Sequence, residues 1–95
     1  MTRGVQADIP MGLQLILWFM IDDNIKKGLP MDYLQVFTLS AYHKENATYQ
    51  KITHVQEVPK RKKDAVINVI DKVVTAKIYV IDDIEHITML LADEY

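Results

Sequence analysis

A chain of 95 residues, 49% hydrophobic and 25% charged, makes one small globular domain with a single core. The net charge of −2 favours no partner class, and the absence of cysteine excludes disulfide frameworks, thiolate zinc sites and thiol redox chemistry. The start MTRGVQADIP has no apolar signal region. The longest apolar run, Leu15 to Ile21, is seven residues against the roughly 20 of a membrane span, so a cytoplasmic protein without membrane contact is expected.

In chain order, RGVQA near the start is compatible with one short strand. Pro10 suits the first turn of a helix, where its missing N–H would be unpaired in any case, and Asp8 lies just upstream. Lys26 and Lys27 complement the carbonyl end, Gly28 supplies a left-handed stop and Pro30 blocks continuation. A helix is therefore predicted over 10–27. Its core stripe is Leu13, Ile16, Leu17, Met20 and Ile21, at the i, i+3, i+4 spacing of one face. Gln14, Asp22 and Asp23 mark the polar side. Leu15, Trp18 and Phe19 lie off the stripe, on flanks that should meet water.

After the helix the pattern changes to aromatic and β-branched residues. MDYLQVFTLSAY (31–42) reads as a strand, HKENA (43–47) as a hairpin tip and TYQKITHVQEV (48–58) as the returning strand. Pro59 ends it. PKRKKD (59–64) reads as a charged connection, AVINVI (65–70) as the third strand and AKIYVID (76–82) as the fourth. DIEHITMLLADEY (83–95) closes the chain. The connections are too short for helical crossovers, so neighbours should pair antiparallel. The expected fold class is α+β: a single N-terminal helix packed on one face of an antiparallel sheet of about five strands, as one domain over 1–95.

Alternation leaves grease on both faces of that sheet. Ile78 and Val80 oppose Lys77, Tyr79 and Ile81, while Ile87, Met89 and Leu91 oppose His86, Thr88, Leu90 and Ala92. One helix cannot cover all of this, and the excess reads as a contact surface for another copy or another protein.

TRGVQADIPMGLQLILWFMID, MDYLQVFTLS, KITHVQEVP, AKIYVIDD and TMLLADEY, taken together and in order, resemble the bacterial domain-of-unknown-function family 960. These are small proteins of Gram-positive bacteria, often carried on mobile elements and phages. DYLQVF, QEVP before a charged turn and the terminal MLLADEY are its most specific marks. None is a catalytic signature. The resemblance implies a small cytoplasmic domain, with the context of a mobile-element accessory protein, and transfers no functional residue.

Lys60, Arg61, Lys62 and Lys63 supply four of the 11 basic residues. Four adjacent cations can neutralise phosphates with little sequence preference, with Lys51 or Lys72 assisting and Tyr42 and Tyr49 available for stacking. The competing reading is a solvated loop, its field diluted by Glu57 and Asp64, and the acidic balance of the chain favours it. His43, His54 and His86 show no metal-ligand spacing, and no cofactor is expected. The adjacent carboxylates Asp22-Asp23, Asp82-Asp83 and Asp93-Glu94 point apart on any regular element. Ser40, the one serine, has no nucleophile elbow around it. The expectation is a non-catalytic interaction or structural module, acting as a homodimer or subunit, with Leu15, Trp18 and Phe19 as interface candidates. A weak nucleic-acid binder using 60–63 is the second reading. Trp18 itself reads equally as core, under strands that curl around the helix.

Overall fold

The computed structural model describes residues 2–68, 72–83 and 85–95. Helices α1 (Arg3–Asp8) and α2 (Met11–Lys26) precede strands β1 (Leu34–Lys44), β2 (Ala47–Gln56), β3 (Arg61–Ile67), β4 (Ala76–Asp82) and β5 (Ile87–Leu91). A 3-10 turn over Ala92–Glu94 ends the chain.

The predicted helix is α2, and its stop is built as its residues require. Gly28 takes a positive φ of 72°, and the Leu29 N–H donates back to Asn24 O, closing the orphan carbonyl end. Leu13, Leu17, Met20 and Ile21 are buried, with Ile16 packed at the margin of the core. Gln14 corrects the expected polar side: it is buried, and its Nε2 donates to the carbonyls of Val5 and Ile9 at 3.2 and 2.7 Å. It serves as a cap for the end of the preceding helix.

That preceding helix is a second correction, because RGVQA is helical and not a strand. Thr2 caps it by accepting the Val5 N–H, and the Glu94 carboxylate accepts from the Gly4 N–H at 3.1 Å, placing an anion at the positive helix end. The Thr2 hydroxyl also donates to Glu94, the largest of the effects that hold this carboxyl below its ordinary pKa. The two termini are thereby clasped, and Thr2 N–H further donates to Met89 O of β5.

The five strands run in the order β3-β2-β1-β4-β5, every pair antiparallel. The hairpin turn is tighter than predicted, with Lys44 paired to Ala47 and Glu45 at a φ of 56°. Contrary to simple neighbour pairing, β4 does not join β3 but crosses to the free side of β1. The crossing spans three inter-strand steps, roughly 14 Å, a distance well within the length of the connecting chain. Of the predicted third strand, residues 69 and 70 lie outside the described ones.

A buried glutamine fastens this crossing. Gln50 Oε1 accepts the Val74 N–H at 2.8 Å and its Nε2 donates to Val74 O at 3.0 Å, so one side chain substitutes for a strand partner. Val74 then joins the core with Val5, Leu17, Phe37, Leu39, Ile52, Ile78 and Met89, all on the helix side of the sheet. Gln50→Leu keeps the bulk but strands two buried backbone groups. It should lower unfolding free energy by about 2 kcal/mol or more in urea titration, and a loss under about 0.5 kcal/mol would contradict this role.

Candidate interaction surfaces

Register sorts the side chains of the sheet into two faces, since directly paired residues point the same way. Gln35, Phe37, Leu39, Ile52, Ile78 and Met89 face the helices and are buried. On the opposite face, one row crosses all five strands: Lys62, Val55, Val36, Tyr79 and Leu90. The next row is Asp64, Thr53, Thr38 and Lys77. Leu34 and Ile81 extend the apolar area below. No described helix lies over this face. Tyr95 shelters one edge of it, its ring standing edge-on to Tyr79 at 5.5 Å, while Thr53 donates to Asp64 at 2.7 Å and the Lys77 ammonium lies over the Tyr79 ring.

A second apolar surface follows α2. Met11, Leu15 and Phe19 succeed one another at i+4 and are 63%, 61% and 66% exposed. The flanks that the sequence assigns to water do meet it at Leu15 and Phe19. Trp18 is half-buried and packs against the core. Beyond the ridge, Asp22–Lys26 and Asp23–Lys27 form solvated i, i+4 pairs at 3.0 and 2.9 Å.

The basic run is not a loop, which corrects the expected connection over 59–64. Arg61 pairs with Gln56, Lys62 with Val55, Lys63 with His54 and Asp64 with Thr53, so β3 begins at Arg61 and the turn is shortened to 57–60. A strand sends alternate residues to opposite faces. Arg61 and Lys63 consequently turn toward the helix side, Lys62 stands on the open face and Lys60 stays in the turn. The four cations are divided between surfaces and do not form one basic face. Lys51 is on the open face and Tyr42 and Tyr49 sit together near the hairpin tip, with ring centroids 6.4 Å apart, remote in register from the run.

On the helix side, Arg61 meets a polar network. Its Nη2 donates to Pro30 O and contacts Met31 Sδ at 3.4 Å. Gln56 donates to Pro30 O and Pro59 O and accepts from Gln35 Nε2 at 2.9 Å. Since Gln35 Nε2 also donates to Asp32 O, its Oε1 is the acceptor for His54 Nε2 at 2.7 Å, which puts the neutral ring's proton on Nε2. The imidazole stacks on Phe37 at 4.3 Å. Burial, then the charges of Arg61 and Lys63, push the His54 pKa down to about 4. His43 and His86 are exposed, and among the described residues no group of three His, Cys, Asp or Glu side chains could hold a metal ion. No helix among them is long and apolar enough to cross a membrane.

The register-defined row Val36, Val55 and Tyr79 is what sequence reasoning missed among candidate contact residues. Alternation within β1 and β2 was the available signal, but it becomes a surface only when pairing is known.

These features define a two-layer α+β protein with one helical layer and an open antiparallel face. The chain belongs to the family described as "Staphylococcal protein of unknown function (DUF960)", whose profile matches residues 1–94, in agreement with the resemblance read from its motifs. Comparison with curated proteins gave no match. Among solved structures, a protein of unknown function from Enterococcus faecalis is similar at 25% identity, with a TM-score of 0.79, over 99% of this chain and 86% of that one.

The buried histidine gives a pH signature. An unfolded His54 titrates near its ordinary 6.5 and the folded one near 4, so the unfolded state binds more protons between these values. Stability should therefore fall as pH drops through that window and show no further loss from this group below it. NMR titration of the His54 ring should place half-protonation near 4, and His54→Gln should flatten the stability profile. Half-protonation at the ordinary value would contradict the burial and field described.

Proposed function

We propose that the protein is a non-catalytic interaction module that works as a homodimer, joined through the open face of its sheet. The observation that carries this reading is the self-complementary order of that face. Take a two-fold axis parallel to the strands, midway between β1 and β2. Each row then maps onto itself in the partner. Val36 meets the second copy's Val55, Thr38 meets Thr53, the Lys62 ammonium meets the Tyr79 ring and Lys77 meets Asp64. Apolar residues fall near the axis and opposite charges fall outside them, the arrangement of an isologous interface with a polar rim. Sheet-on-sheet packing at about −30° keeps such rows in reach close to the axis.

The ridge Met11, Leu15 and Phe19, with Trp18 behind it, is the other surface from which an interface could be built. It offers three well-exposed side chains along about 12 Å of helix, whereas Val55, Val36 and Tyr79 of the sheet row are half-buried and Leu90 at its edge is buried. The sheet face is preferred for its self-complementary register and not for exposed apolar area. Nucleic-acid contact through Lys60, Arg61, Lys62 and Lys63 has weaker support, because strand alternation separates them.

Sedimentation equilibrium tests the dimer by charge exchange. Asp64→Lys and Lys77→Asp should each weaken association about tenfold or more, and the double variant should recover most of the loss. A wild type that stays monomeric at high micromolar concentration would overturn self-association. A dimer indifferent to both charges, yet broken by Phe19→Glu, would move the interface to the helix.

A further inference from the structure

Between the carbonyl end of α2 and the start of β3 lies a half-open cavity of about 490 Å³. Lys27, Arg61 and Lys63 line it, with His54 and Gln35 among its polar wall residues, and no carboxylate does; Lys62 borders it from the strand between, its side chain on the open face. Asp23 stands behind Lys27, bound to it at 2.9 Å, and feels the charge of Lys63 as well; its pKa is lowered chiefly by the Lys27 hydrogen bond. One carboxylate thus answers several cations. The Arg61 guanidinium is the more telling group. Its Nη2 is used by Pro30 O, but Nε and Nη1 are buried with no hydrogen-bond partner. Stapling the loop after α2 to β3 needs only Nη2. Buried donors of a cation that go unpaired are costly, and they are rare unless something absent completes them.

We propose that this cavity binds a small ligand bearing a carboxylate or phosphate group, with Arg61 as the directional donor and Lys63 and Lys27 as flanking charges. The free donors Nε and Nη1 diverge, so each directs a single hydrogen bond to an oxyanion, and the lysines add charge without imposing orientation. The volume suits a metabolite-sized molecule. Asn24 and Leu29 at the rim would contact the remainder of the ligand. His54 reports occupancy: the cations facing it are Arg61 and Lys63, with Lys27 further around the cavity and Asp23 behind. An anion among them offsets the field that helps keep the ring neutral.

Inorganic phosphate and acetate at neutral pH are the first probes, read by amide and His54 ring shifts in NMR at constant ionic strength, with chloride as the control. Saturable shifts confined to residues around the cavity are expected, and whichever anion binds more tightly names the source of the oxyanion. Sulfate, which keeps its charge across the histidine range, should raise the His54 pKa. Lys63→Gln, which leaves the Pro30 contact intact, should weaken binding about tenfold, and Arg61→Lys should weaken it further by removing the directed donors. The proposal is overturned if no probe saturates, or if both variants bind as the wild type does with His54 unmoved.

Discussion

A five-stranded sheet has two faces to cover, and the 16 residues of α2 form about 24 Å of helix with which to do it. The short α1 adds Val5 and Ile9 to the same side. Burial on that side is dense, and the strands contribute Phe37, Leu39, Ile52, Ile78 and Met89 to it. The other side has no helical layer among the described residues, yet its central row is Val55, Val36 and Tyr79. This mismatch between apolar faces and covering layers underlies the proposed function, in which a second copy would supply the missing layer without any new element.

Polar groups inside the helix-side layer do a separate job. Gln14, Gln35, Gln50 and Gln56 are all buried, and each bonds to backbone where regular pairing ends. Gln50 holds the crossing to β4, Gln14 holds the end of α1, and Gln35 with Gln56 holds the loop after α2. A long amide can give and accept at once, so it satisfies irregular backbone inside a small core without adding charge. Two members of this layer leave buried polar atoms without partners: Gln14 at its Oε1, and Arg61 at Nε and Nη1.

Much of the fold was legible because local chemistry agreed with it. Pro10, Gly28 and Pro30 bracket α2, and the i+4 spacing of Leu15 and Phe19 away from the core stripe placed both in water. What was not legible depended on distant partners. RGVQA is too short to declare itself a helix, and its caps come from Thr2, from Gln14 and from Glu94 at the far end of the chain. Lys60 to Lys63 look like a loop by charge alone, and only pairing against His54, Val55 and Gln56 makes Arg61 to Lys63 a strand. The place of β4 beside β1 is set by the ladder from Leu34–Ile81 to Leu39–Ala76 and fastened by Gln50 reaching Val74, contacts no window of sequence contains. The open-face row is likewise a product of register, assembled from five strands at once.

The central proposal is that the helix-free face of the sheet meets itself across a two-fold. Isotope-filtered NMR on a mixture of labelled and unlabelled protein tests it most directly, because it sees contacts between copies and ignores those within one. The account predicts intermolecular contacts between the methyls of Val36 and Val55, and between the Lys62 side chain and the Tyr79 ring. Intermolecular contacts confined to Leu15 and Phe19, or none at all, would contradict it.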